Sequence, residues 1–216
     1  MLNRLWKALR GDDVASSSPP ARPDVSLTEL AEAASAGDLA AIQAVVKRGT
    51  PIDVRLEGGQ TLLTAASVNG HLPVVQWLVQ AGAELNARSE DGSTCLHWAS
   101  MNGNPETLDF LISAGVNPDA RDEHGQIPPY ISALLDRDDL LSFWLDRGDL
   151  ATVRNDRGQT LIHFACTLGK VRCVDELLRR GVSLETRDRE GETPLLSSLS
   201  HSHREVADRL IAAGAN

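Results

Sequence analysis

The sequence predicts an all-α solenoid of short helix-turn-helix units joined by β-hairpin-like loops, and three observations carry that expectation. Glycine recurs every 33 residues at Gly49, Gly82, Gly115, Gly148, Gly181 and Gly214, the mark of a stacked repeat. A second column, Gly59, Gly92, Gly125, Gly158 and Gly191, keeps the same step without insertion or deletion. Between the columns, apolar residues fall at helical spacing in segments too short to be stable alone, so each must bury its face on a neighbour.

In chain order, residues 24–216 divide into six units at about 24–55, 56–88, 89–121, 122–154, 155–187 and 188–216. Thr28, Thr61, Thr94, Thr160 and Thr193 stand where the first helix of a unit needs an N-cap, and Pro128 and Pro194 follow at a position where a missing N–H costs little. The second helix of each unit carries its apolar face at i, i+3, i+4: Val74, Trp77 and Leu78, then Thr107, Phe110 and Leu111, then Val174, Leu177 and Leu178. The column Trp77, Phe110 and Phe143 reads as core packing rather than ligand stacking. The first unit places Glu29 and Glu32 where inner units are apolar. A polar terminal unit keeps a solenoid soluble, so the six units are expected to form one complete domain.

The stretches "GSTCLHWASMNG", "GQTLIHFACTLG" and "GETPLLSSLSHS" echo the motif T-P-L-H-x-A. On these residues and the 33-residue period, residues 24–216 resemble the ankyrin repeat family. The resemblance implies two antiparallel helices and a hairpin loop per unit, with proteins bound along a concave groove through hairpin tips and the exposed edge of the first helix. It also implies that His97 and His163, at the motif histidine, bond backbone and neighbouring motif residues. The fourth unit, "GQIPPYISALLDRDD", departs from the pattern with Ile127 for threonine, Pro129 for leucine, Tyr130 for histidine and Asp136 for the turn glycine. Local consistency is weakest there, and the unit is expected to open more readily than its neighbours.

Composition narrows the function classes. A net charge of -9 opposes a general nucleic-acid binder, which needs clustered cations. No stretch approaches the roughly 20 apolar residues of a membrane span, and no secretory signal core is present, so the cytoplasm is the expected compartment, with export by another route left open. Cys95, Cys166 and Cys173 are too few and too unevenly placed for a disulfide framework, in agreement with a reducing environment. Cys95 with His97, and Cys166 with His163, have the residue types of a nucleophile and base, yet no acid or oxyanion loop accompanies them. His201 and His203 make a weak metal pair without a third ligand. No enzyme, metal site or cofactor is expected.

Binding residues are sought in departures from the stacking pattern. Val68, Met101, Leu134, Leu135 and Leu168 form an apolar strip near the end of the first helix, expected to face solvent, and Asn69, Trp98 and Asn102 lie beside it. The hairpin tips are acidic, with Glu57, Glu90, Asp91, Glu123, His124, Asp156, Glu190 and Glu192. Just before them Arg55, Arg88, Arg121, Arg154 and Arg187 repeat every 33 residues. These arginines are expected to be held by carboxylates such as Asp122 or Asp188 rather than to grip an acidic ligand or nucleic acid. The expected partner is a protein that is basic or carries an apolar ridge, bound by a monomer. Residues 1–10, "MLNRLWKALR", set Leu2, Leu5, Trp6 and Leu9 on one stripe among Arg4, Lys7 and Arg10, and residues 11–23 form a Ser- and Pro-rich linker. Three readings stand for this segment: an interfacial membrane helix, a docking element or a mobile start. It is expected to be dispensable for folding of residues 24–216.

Overall fold

The computed structural model describes residues 26–148 and 150–216, which leaves the basic segment and its linker outside the described residues. Among the described residues twelve α-helices form six pairs: α1 (Leu27–Ala36) and α2 (Leu39–Lys47), α3 (Leu62–Val68) and α4 (Leu72–Gln80), α5 (Cys95–Asn102) and α6 (Pro105–Ser113), α7 (Pro129–Leu134) and α8 (Asp138–Leu145), α9 (Leu161–Thr167) and α10 (Val171–Arg179), α11 (Pro194–Ser200) and α12 (Arg204–Ala212). A short turn closes each pair and runs its helices antiparallel. No strand occurs among the described residues. The first helices α1, α3, α5, α7, α9 and α11 contact one another in succession, and so build the stack.

Helix starts follow the threonine column with two corrections. Thr61, Thr94, Thr160 and Thr193 are N-caps. In the first unit Ser26 takes that place and Thr28 lies inside α1, because Ser26 and Glu29 close a reciprocal capping box at three-residue spacing. In the fourth unit Ile127 offers no cap, Pro128 already has helical backbone angles, and α7 is only six residues long.

The core falls into two clusters that meet in the fourth unit. Leu140 and Trp144 of α8 pack with the apolar residues of the first three units. Leu141 of the same helix, with Ile127, Tyr130 and Ala133, packs with those of the last two. Trp77, Phe110 and Phe143 are partly buried against the first cluster, as core packing requires. One turn of the repeat further on, the same column holds Glu176 and then Arg209. Glu176 is 1% exposed, so its carboxylate must be met by partners. Ser142 Oγ donates to Oε1 at 2.7 Å, Arg180 Nε donates to the same oxygen at 2.8 Å, and the Arg179 guanidinium lies against Oε2. Burial alone would raise this carboxyl; the bonds from Ser142 and Arg180 and the charges of Arg179 and Arg180 outweigh it and hold the group below its ordinary range.

Candidate protein-binding surface

Each hairpin tip is closed by two backbone bonds, one from the tip glycine back to the first flank and one between the flanks: Leu56 N to Gln60 O (2.7 Å), Ser89 N to Ser93 O (2.9 Å), Asp122 N to Gln126 O (2.9 Å), Asn155 N to Gln159 O (3.0 Å) and Asp188 N to Glu192 O (3.0 Å). Consecutive tips are joined by another, from Glu90 N to Gly58 O, Glu123 N to Asp91 O, Asp156 N to His124 O and Arg189 N to Arg157 O. This close stacking explains the tip glycines. Gly92 has φ 74°, and a Cβ there would lie 2.9 Å from the backbone nitrogen of Glu123, so any other residue would force the next tip away.

Below the tips the arginines form a ladder whose shared partners are carbonyls rather than the Asp122 and Asp188 carboxylates expected, while Arg55 Nη2 also meets a carboxylate, Glu84 Oε2, at 3.5 Å. Arg121 Nη1 donates to Gly125 O of its own tip (2.9 Å) and to Arg154 O of the next unit (2.6 Å). Arg55, Arg88 and Arg154 repeat the same pair of bonds, and Arg187 makes the one within its own unit. The carboxylates are engaged elsewhere: Asp122 Oδ1 accepts from His124 N and Gln126 N, and Asp188 Oδ1 from Glu190 N and Glu192 N. A guanidinium presents several donors in a fixed fork, which lets one side chain tie two hairpins.

A third tie comes from the first helices. Thr94 N donates to His97 Nδ1 at 3.1 Å, which leaves the proton on Nε2 for Gln126 O at 3.1 Å. His163 repeats the arrangement with Thr160, Thr186 O and Glu192 O. Burial keeps both imidazoles below the ordinary histidine range. Tyr130 replaces the ring with a hydroxyl within reach of Gln159 O (2.6 Å) and Val153 O (2.9 Å). Both motif histidines are therefore committed to the scaffold. The cysteines are buried thiols: burial pushes Cys95 up to about 12 and, with Asp136 and Asp138 nearby, Cys173 up to about 12, and raises Cys166 as well. Such buried thiols carry little thiolate at neutral pH. His201 Nδ1 bonds Ser197 O and His203 Nε2 bonds Thr167 O, and no group of three metal-ligating side chains occurs among the described residues.

The tips bring Glu57, Glu90, Glu123 and Asp156 into one exposed row. Asp91 is committed to its own tip, accepting from Ser89 Oγ and Ser93 N, and His124 lies 3.8 Å from Glu123. The apolar strip is more enclosed than its sequence position implies. Trp98 is 5% exposed and Met101 8%, and with Ile131 they form a small cluster on which Val68, Leu134 and Leu135 pack half-buried. Leu168 is also half-buried. The reason is lateral: neighbouring first helices approach closely enough for these side chains to cover one another. Trp98 Nε1 donates to Ser89 Oγ at 3.4 Å, which fastens the cluster to the second tip. Asn69 Nδ2 bonds Ala65 O within its own helix, while Asn102 is exposed. Sequence reading missed Ile131 and Phe164, although both stand one and two periods after Trp98. Phe164 meets Tyr130 edge-on at 5.3 Å.

The model for ankyrin repeats in three copies matches residues 30–122 and again residues 130–216. The chain belongs to the ankyrin repeat family. The gap between the two matches falls on the tip and helix start of the divergent fourth unit. Three solved ankyrin-like folds are similar. One chain of the complex of the Bd0816 predatory endopeptidase from Bdellovibrio bacteriovorus with immunity protein Bd3460 gives a TM-score of 0.72 at 26% identity, over 85% of this chain and 96% of that chain. An ankyrin repeat domain from Acinetobacter baumannii AYE gives 0.70 at 25%, over 87% and 98%. The human ASB11 ankyrin repeat domain gives 0.72 at 25%, over 87% and 84%. Comparison with curated proteins gives no significant match. Ankyrin repeat domains are in general non-enzymatic protein-interaction modules, and no helix among the described residues is long and apolar enough to cross a membrane.

Proposed function

We propose that this ankyrin domain binds one partner protein along the groove between its tips and first helices, and acts as an inhibitor by covering that partner. The carrying observation is the exposed row Glu57, Glu90, Glu123 and Asp156 beside the Trp98, Met101 and Ile131 cluster. Four carboxylates on successive tips select a basic ridge, and the apolar cluster with its half-buried rim of Val68, Leu134 and Leu135 receives an apolar side chain at its centre. The likeness to a chain from an endopeptidase–immunity protein complex favours inhibition over scaffolding. A scaffold remains the second reading, and differs in leaving its partner active.

The test is capture from the native cell with the intact chain and with Glu90→Arg/Glu123→Arg. Both side chains are exposed, and exposed substitutions usually stay within about 0.5 kcal/mol in stability. One protein should be retained by the parent, released by added salt, and lost from the variant, and its own activity should fall at one equivalent of the domain. Equal retention by parent and variant would place the interface elsewhere; retention with the partner fully active would select the scaffold.

A further inference from the structure

Among the described residues, the large hydrophobic side chains left exposed all belong to the last helix pair: Leu196 (45%) and Leu199 (52%) on α11, and Ile211 (55%) on α12. Their columns explain why this is unusual. The positions one to four periods before Leu199 are Cys166, Ala133, Ser100 and Ser67, each 0% exposed because the following unit covers them. Leu196 stands in the column of Thr64, His97, Tyr130 and His163, all buried. Ile211 stands in that of Val79, Ile112, Leu145 and Leu178, which pack half-buried on the core. Small residues in the first column let the next helix approach, whereas Leu199 projects. This face is therefore apolar yet misshapen for another unit of the same kind.

We propose that two copies of this chain pair tail to tail through this face. Two observations select a second copy and its orientation. At the other end of the array Glu29 and Glu32 are exposed, so head-to-tail stacking would press carboxylates onto leucines, while tail-to-tail pairing sets apolar on apolar. On α12, Arg204, Asp208 and Ile211 follow at i, i+4 and i+7 on one stripe; Arg204 and Asp208 stand 4.0 Å apart as an ion pair within the helix, with side chains 92% and 69% exposed, so the pair is open to exchange partners with a second copy. A two-fold axis that antiparallels the two α12 helices brings each Arg204 onto the other copy's Asp208, so the rim is complementary to itself. The dimer closes, leaves both tip rows open, and departs from the monomer expected from sequence.

Sedimentation of the full chain over a range of concentrations tests the pairing. A concentration-dependent dimer is expected, weakened at least tenfold by Leu196→Glu/Leu199→Glu with an unchanged melting curve. Arg204→Asp should also weaken it, and Arg204→Asp/Asp208→Arg should restore it. A monomer at every concentration would overturn the proposal, as would a dimer that survives the leucine substitutions. Loss of association in Leu5→Glu/Trp6→Glu with both leucines intact would overturn it in favour of the N-terminal segment as occupant.

Discussion

Tyr130 performs in the fourth unit the task of His97 and His163 in the third and fifth, because each sends a proton to the carbonyl that closes the next tip. A phenol and an imidazole differ in one respect that can be measured: only the imidazole titrates near neutrality. Tyr130→Phe should leave Val153 O or Gln159 O short of a donor and lower stability by about 1–2 kcal/mol, read as a shift in urea midpoint at unchanged slope. The two histidines predict acid sensitivity. Their folded values lie below the ordinary range, so the unfolded chain takes up protons first as pH falls. Their contribution is intact above about pH 6.5 and is lost progressively below it, with a slope of up to about 1.4 kcal/mol per pH unit for each ring. Unfolding curves from pH 7.5 to 5 would reveal it, and a flat profile would mean the rings protonate in place. Carboxylates such as Asp139, held at about 2 by the Arg137 guanidinium, act only at lower pH.

The fourth helix pair is the element where the array is weakest and yet most repaired. Asp136 occupies the turn-glycine position at φ 54°, and its carboxylate accepts from Cys173 N at the start of α10. Polar side chains of its type tolerate this conformation better than most. Gly148 departs in the opposite sense, standing outside the left-handed region that Gly49, Gly82, Gly115, Gly181 and Gly214 adopt. Open grooves of about 810 and 750 Å³ flank the loop that follows α8. The six-residue α7 has no side-chain cap, and the two core clusters divide across α8. Amides of residues 131–145 are therefore expected to exchange with solvent faster than those of α5, α6, α9 and α10. Equal protection in native-state hydrogen exchange would show that Tyr130 and Asp136 compensate fully. The capture variant Glu90→Arg/Glu123→Arg should leave this pattern unchanged, since both residues project from tips that the arginine ladder holds.

At the scale of the whole molecule, the described residues between Leu27 and Ala215 assemble two core clusters among themselves. Removing residues 1–25 should accordingly leave a chain with the parent's helical signal and a melting temperature within about 2 °C, checked by circular dichroism; a chain that fails to fold would assign those residues a structural role. The sequence by itself determined the 33-residue period, the all-helical repeat architecture and the family, because each is written in local chemistry that repeats: a capping threonine, an apolar stripe, a turn glycine. It also placed the acidic tips, since a tip residue faces solvent whatever its neighbours are. Only the tertiary structure decided the fate of residues that meet across units. Met101 is buried by Trp98 and Ile131, the arginines turn to carbonyls of the next hairpin, Tyr130 stands in for histidine, and Leu199 lies open where its predecessors are covered. Each of these outcomes depends on what the following unit brings within contact distance, and a reading of one unit at a time contains no such distance.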